Sequence, residues 1–172
     1  PYLVAEDFQA SEDYFVSPYR ASFTRFIRAF SLIISIYLPA FYVSAQLFKL
    51  QLLPLGLLLT IASNIQGLPL SPSMEMFLTL LLLEVLTEAS VRMPKYVGMA
   101  LSVVGALVLG DTAVNAGILS TPAILIIALS GICLYTVPNL IETTSLVRML
   151  MLLAAGSVGT YGIILLTAFL LY

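Results

Sequence analysis

The stretch from Ser73 to Pro94, SMEMFLTLLLLEVLTEASVRMP, is long enough as a helix to cross a bilayer, yet it carries Glu84 and Glu88 and ends on Arg92. In hydrocarbon no water satisfies the backbone, so a spanning segment is a helix or part of a closed barrel. A carboxylate in such a segment costs at least about 2.5 kcal/mol on insertion scales, so it turns toward a bundle interior, a partner or a water path. The composition agrees, with 60% hydrophobic and only 9% charged residues, where soluble domains carry roughly a quarter charged. The expected fold is all-α, a polytopic transmembrane helix bundle, in an integral membrane protein in contact with lipid.

The boundaries follow from apolar length and from Pro, Gly and Asn. Residues 1–28 read as a cytoplasmic linker, with an acidic start (Glu6, Asp7, Glu12, Asp13) and a basic collar (Arg20, Arg25, Arg28). The transmembrane part, 29–172, divides into spans at about 29–48, 74–91, 96–119, 121–138 and 144–172. Between the first two, 52–65 is apolar but short and carries Pro54 and Gly56, which favours a re-entrant or interfacial helix. Pro39 removes the backbone bond to residue 35 and predicts a kink in the first span. Ser73 is expected to cap the second span, with Glu75 in its first turn at the positive end of its own dipole. A chain that opens on Pro1 and ends within an apolar run at Tyr172 reads as a fragment of a longer protein.

Orientation is set by cationic residues, which accumulate on the cytoplasmic side. Five spans with a cytoplasmic N-terminus put Arg20, Arg25, Arg28, Arg92, Lys95 and Arg148 on one side, leaving Lys49 opposite. In that frame Glu84 lies ten residues below Met74, about 15 Å at the helical rise, near the midplane.

The chemistry-bearing patterns are few. With no histidine and the single Cys133, disulfide frameworks and the common zinc sites are excluded. The GSVGTYG run at 156–162 lacks the lysine and strand context of a nucleotide loop. No metal, cofactor, nucleic acid or enzymatic activity is expected. Glu84, Glu88 and Arg92, at i, i+4 and i+8, share one helix face, and Glu88 can pair with Arg92. Asp111 and Asn115 repeat the i, i+4 spacing between Gly110 and Gly117, in a composition that tolerates a broken helix lining a cavity. Glu84, Glu88, Asp111 and Asn115 are thus candidates for an ion path or its gating. The alternatives are a Glu/Arg face that only fixes helix register and an Asp111 that caps a second helical piece. Small residues at Gly98, Ser102, Gly105, Gly156 and Gly159 suit close helix packing.

Read as one string, Gly67 to Ser120 resembles the membrane domain of the GerA family of spore germination proteins. Gly67 and Pro69 match its G-V-P-F-P segment, and Glu84, Glu88, Ala89, Arg92 and Pro94 its E-x-x-R-E-A-x-x-R-x-P. Gly98, Gly105, Ala106, Leu107, Val108, Gly110, Ala113, Val114, Ala116 and Gly117 follow its glycine-rich run. Upstream, Arg25, Arg28, Leu38, Pro39, Tyr42 and Val43 resemble its R-x-x-R and L-P-x-x-Y-V. Leu70, Leu80, Thr87 and Asp111 depart from the family's Phe, Glu, Arg and Gln. The resemblance implies a spore inner-membrane subunit acting with B- and C-type germinant receptor subunits, and a homo-oligomer forming a ligand-gated cation channel. A sporulation paralogue shares the domain. A secondary transporter and a passive scaffold for receptor assembly are the competing functional classes.

Overall fold

The computed structural model describes residues 17–48, 55–65, 69–92, 94–137 and 140–171. The acidic start at 1–16, Lys49 and Gly67 lie outside them. Among the described residues every regular element is helical. In chain order these are α1 (Pro18–Phe48), α2 (Leu55–Ile65), α3 (Pro72–Arg92), α4 (Lys95–Ala106), a π-helical stretch (Leu107–Thr112), α5 (Ala113–Asn115), α6 (Thr121–Leu134), α7 (Ile141–Val158) and α8 (Thr160–Leu171).

The first helix starts at Pro18 rather than near Ala29. Proline at the first helical position forfeits no bond, and the Ser17 carbonyl accepts the Arg20 and Ala21 amides at 3.0 and 3.1 Å. Arg20, Arg25 and Arg28, read as the basic collar of the linker, are therefore helical residues of α1. A second difference is at Pro72, which opens α3, so Ser73 is already inside the first turn and the Ser71 carbonyl takes the Glu75 amide.

The segment expected as one span at 144–172 is divided at Gly159. Its φ of 69° with ψ of −142° is backbone that glycine tolerates and L side chains rarely adopt. A Cβ there would meet the Phe48 ring at 2.7 Å, so α1 also closes the space. The third expected span is unbroken at Asp111, where the backbone widens into the π stretch. It ends at Gly117 in a Schellman motif, with Ile118 N–H on the Ala113 carbonyl and Gly117 N–H on that of Val114.

By length and composition two described helices, α1 and α7, can cross a membrane. Helix α3 has 21 residues but includes Glu75, Glu84, Glu88 and Arg92, while α6, α8 and the stretch through 103–115 are shorter apolar helices. The interior is organised around α1, which packs most extensively on α7 and α6, with α3 leaning on α4, α7 and α6. One apolar cluster joins Val43, Met76, Leu80, Ile127 and Leu152 across α1, α3, α6 and α7. A second joins Ala40 to Met151, Ala155 and Ile163, where α8 closes on α1 and α7.

Candidate functional site

Pro39 sits inside α1 and has no N–H to give the carbonyl of Ser35, four residues back. That carbonyl is not left orphaned. Ser130 of α6 donates its hydroxyl to it at 2.8 Å. The Ser130 oxygen in turn accepts from Arg148 Nη1 of α7 at 3.2 Å, a combination its one proton and two lone pairs allow. The guanidinium then turns its Nη2 to Glu84 of α3, forming an ion pair. A proline that breaks one backbone bond is thus the first link of a polar chain through α1, α6, α7 and α3.

The chain is buried where it matters. Arg148 is 0% exposed and the Glu84 side chain 24%, while Ser35 and Ser130 are both fully buried. A desolvated guanidinium needs a counter-charge and hydrogen-bond acceptors, and Glu84 with Ser130 supplies them. The arrangement fixes the relative position of four helices and leaves one side of the carboxylate open. Arg148, expected at the cytoplasmic edge, is an interior residue, eight positions into α7. The sequence counts it as an orienting surface charge because nothing local distinguishes it, and its partner lies 64 residues away.

The remaining candidates are grouped in exposed pairs. Arg92 donates through Nε to Glu88 Oε1 at 2.6 Å, with side chains 78% and 63% exposed. Asn115 Nδ2 donates to Asp111 Oδ1 at 2.7 Å, and both residues are exposed. Asp111 lies within the π stretch, and the cap position before α5 is held by Thr112, whose side chain makes no capping bond. Glu84, although on the same helix as Glu88, is committed to Arg148, so α3 divides its acids between an interior pair and a surface pair.

Three of the small residues, Gly105, Gly156 and Gly159, lie close to another helix. A Cβ on Gly105 would meet Leu86 of α3 at 2.8 Å, and one on Gly156 would meet Ser73 at 3.3 Å. Gly98 is half-buried on α4, and Ser102 is on the same helix, its side chain outside the described residues. Four further polar residues come together in a way that no spacing in the sequence suggests. Glu75, in the first turn of α3 as expected, is 1% exposed and also accepts the backbone N–H of Ser120 at the start of α6. Tyr42 stands beside that carboxylate, facing Ser120 and Gln46. Two hydroxyl contacts also cross between elements among the described residues: Ser44 with Thr160 at 2.8 Å and Thr87 with Tyr135 at 3.0 Å.

Against known proteins, residues 1–172 match the family described as Bacillus/Clostridium GerA spore germination protein. Spore germination protein KA of Bacillus subtilis is 37% identical over 167 residues, covering 96% of this chain and 31% of the relative. Spore germination protein GerLA of Bacillus cereus is 35% identical over 167 residues, 96% of this chain and 34% of its own. The uncharacterized membrane protein YfkQ of Bacillus subtilis is 36% identical over 159 residues, 91% and 31% respectively. The chain therefore spans about a third of the length of the curated relatives it matches. No solved structure matches it.

Proposed function

The chain belongs to the Bacillus/Clostridium GerA spore germination protein family, and from that premise we propose that it is the membrane portion of a germinant receptor subunit whose assembled copies form a cation path. Asp111, Asn115 and Glu88 line or gate the path in this reading. Glu84 and Arg148 hold the helices that carry it.

One observation carries the proposal. Asp111 and Asn115 are exposed next to exposed Val103, Val104, Leu107 and Ile118, so a lipid-facing orientation would place a carboxylate in hydrocarbon. Such groups face a bundle interior, a partner or water. Bringing several copies together around a shared aqueous path removes the penalty and sets a ring of carboxylates where cations pass. The π stretch that holds Asp111 adds to this, because π-bulges occur frequently at functional sites.

In the same reading α1, α3, the α4–π–α5 segment, α6 and the α7–α8 pair make five crossings, with the N-terminus cytoplasmic in the spore inner membrane. With Arg148 in the interior, orientation rests on Arg20, Arg25, Arg28, Arg92 and Lys95, opposed by Lys49. B- and C-type subunits are the proposed partners, with nutrient signals transduced through this domain.

The test is monovalent-cation release from spores carrying Asp111→Ala, followed with an ion-selective electrode after addition of nutrient, at matched membrane levels of the subunit. Release slowed severalfold is expected. Release and germination at the parental rate in both Asp111→Ala and Glu88→Gln spores would remove these residues from the path.

A further inference from the structure

Helices α7 and α8 do not continue one another through Gly159 but fold back as a hairpin. A Cβ added at Gly162 would run into the Ala154 carbonyl oxygen, whereas eight residues of unbroken helix would hold the two about 12 Å apart. Further from the corner, Ile163 and Leu166 of α8 share one apolar cluster with Met151 and Val147 of α7. The same α8 residues lie along α1 in the opposite direction to its chain. The Phe48 ring sits against Gly159, the Ser44 hydroxyl meets that of Thr160 at 2.8 Å, and Ala40 and Tyr37 join Ile163 and Leu166 in the cluster.

Tyr37, Ala40, Ser44 and Phe48 occupy one face of α1, at the three- and four-residue spacing of a helix seam. That face continues toward the N-terminus as Ile33, Phe30, Phe26 and Phe23. Where α8 covers the seam, Ala40 and Ser44 are 0% and 1% exposed, while the four residues further along are 52–68% exposed. Phe26 and Phe30 are already stacked, with ring centroids 6.3 Å apart and planes 8° from parallel. The opposite face of α1, with Ala21, Ser31 and Ser35, is buried in the bundle. Half of one continuous seam is thus occupied, and the other half is an open aromatic wall.

We propose that in the full-length protein the polypeptide after Leu171 prolongs α8 along this seam and covers Ile33, Phe30, Phe26 and Phe23. The curated relatives are about three times as long as this chain, which leaves ample polypeptide for the purpose. The contact already made sets the direction. Thr160, Ile163 and Leu166 pass Ser44, Ala40 and Tyr37 in turn, so Leu170 falls at the level of Ile33. Length sets the extent: α8 has 12 residues, a crossing takes about 20, and about eight more reach Phe26 and Phe23. Lipid or a second copy would instead have to take over from α8 midway along a single seam. The return is a crossing beyond the five counted with α7 and α8 taken together, and it brings the chain back to the side of Arg20. It holds whether or not assembled copies conduct.

Photo-crosslinking of the full-length protein in its membrane tests this. With Phe26→p-benzoylphenylalanine, the expected main product is an intramolecular crosslink to a peptide that follows Tyr172, identified by mass spectrometry. In a background freed of other cysteines, Ile33→Cys with Leu170→Cys should be joined within one chain by a short bis-maleimide severalfold faster than Ile33→Cys with Leu153→Cys, since Leu153 is exposed on α7. A main crosslink from position 26 to a second copy, to residues 1–16, to another protein or to lipid would overturn the proposal. So would equal rates in the two cysteine pairs. Neither readout involves cation flux, so failure of the proposed path and failure of this contact are told apart.

Discussion

Replacing Glu84 by Leu should unfold the bundle far more readily than its partial exposure suggests, because the damage falls on Arg148. The guanidinium is 0% exposed and has Glu84 and Ser130 as its partners, its Nε being already unsatisfied. Removing one member of a buried ion pair typically costs 3–5 kcal/mol, and a cost of about 4 kcal/mol is expected here. For a domain of this size, at roughly 2–4 °C per kcal/mol, the midpoint falls by about 8–16 °C. The reverse change, Arg148→Met, strands a carboxylate that is 24% exposed, so its cost lies near the low end, about 3 kcal/mol. Removing both charges leaves apolar residues of similar bulk, and the double variant should come within about 1 kcal/mol of the parent. The assay is a double-mutant cycle by equilibrium unfolding of the purified protein in mixed micelles. A coupling energy above about 3 kcal/mol is expected. Two additive single effects, or a Glu84→Leu cost below about 1 kcal/mol, would refute the assignment of this pair as the joint between α3 and α7.

Ser130→Ala leaves both the Ser35 carbonyl and Arg148 Nη1 one partner short and should cost about 1–3 kcal/mol. In a Pro39→Ala background that cost should shrink, since the introduced alanine can supply the Ser35 carbonyl with the missing N–H; thermal unfolding of the four proteins checks it. Gly159→Ala combines the 69° φ with the Phe48 contact and should cost about 1–3 kcal/mol. Gly156→Ala, whose nearest new neighbour is Ser73 at 3.3 Å, should be much milder, and the two midpoints should differ clearly. Glu88→Gln removes an exposed i, i+4 pair worth only about 0.3–0.5 kcal/mol, so its unfolding midpoint should barely move.

What was legible in the sequence was local. The helical class follows from apolar length, the Glu88 to Arg92 and Asp111 to Asn115 contacts from their spacing, and the loss of a bond at Ser35 from Pro39 alone. What was not legible needed the third dimension. Nothing near Arg148 in the string says that it faces inward, and a rule that reads cations as surface charges does not anticipate its burial. The divided helix at Gly159 was hidden for a different reason. Glycines at 156, 159 and 162 look alike in sequence, and packing against Phe48 coincides with the positive φ at 159.

Pro39 and Arg148 explain each other once both are placed. A buried guanidinium with only a carboxylate would leave donors unmet, and a proline within a buried helix would leave an acceptor unmet. Ser130 accepts from one and donates to the other, so one hydroxyl meets both local liabilities, with Arg148 Nε alone of the guanidinium nitrogens left without a partner. Removing Pro39 restores the helix bond but releases Ser130 from α1, so the bundle loses a tie between α1 and α6 even as α1 itself is mended. Local helix stability and interhelix registration should therefore move in opposite directions in Pro39→Ala. Amide hydrogen exchange can read both, with slower exchange expected around residue 39 and faster exchange in α6 near Ser130. Slower exchange in both segments would mean that the chain does not couple them.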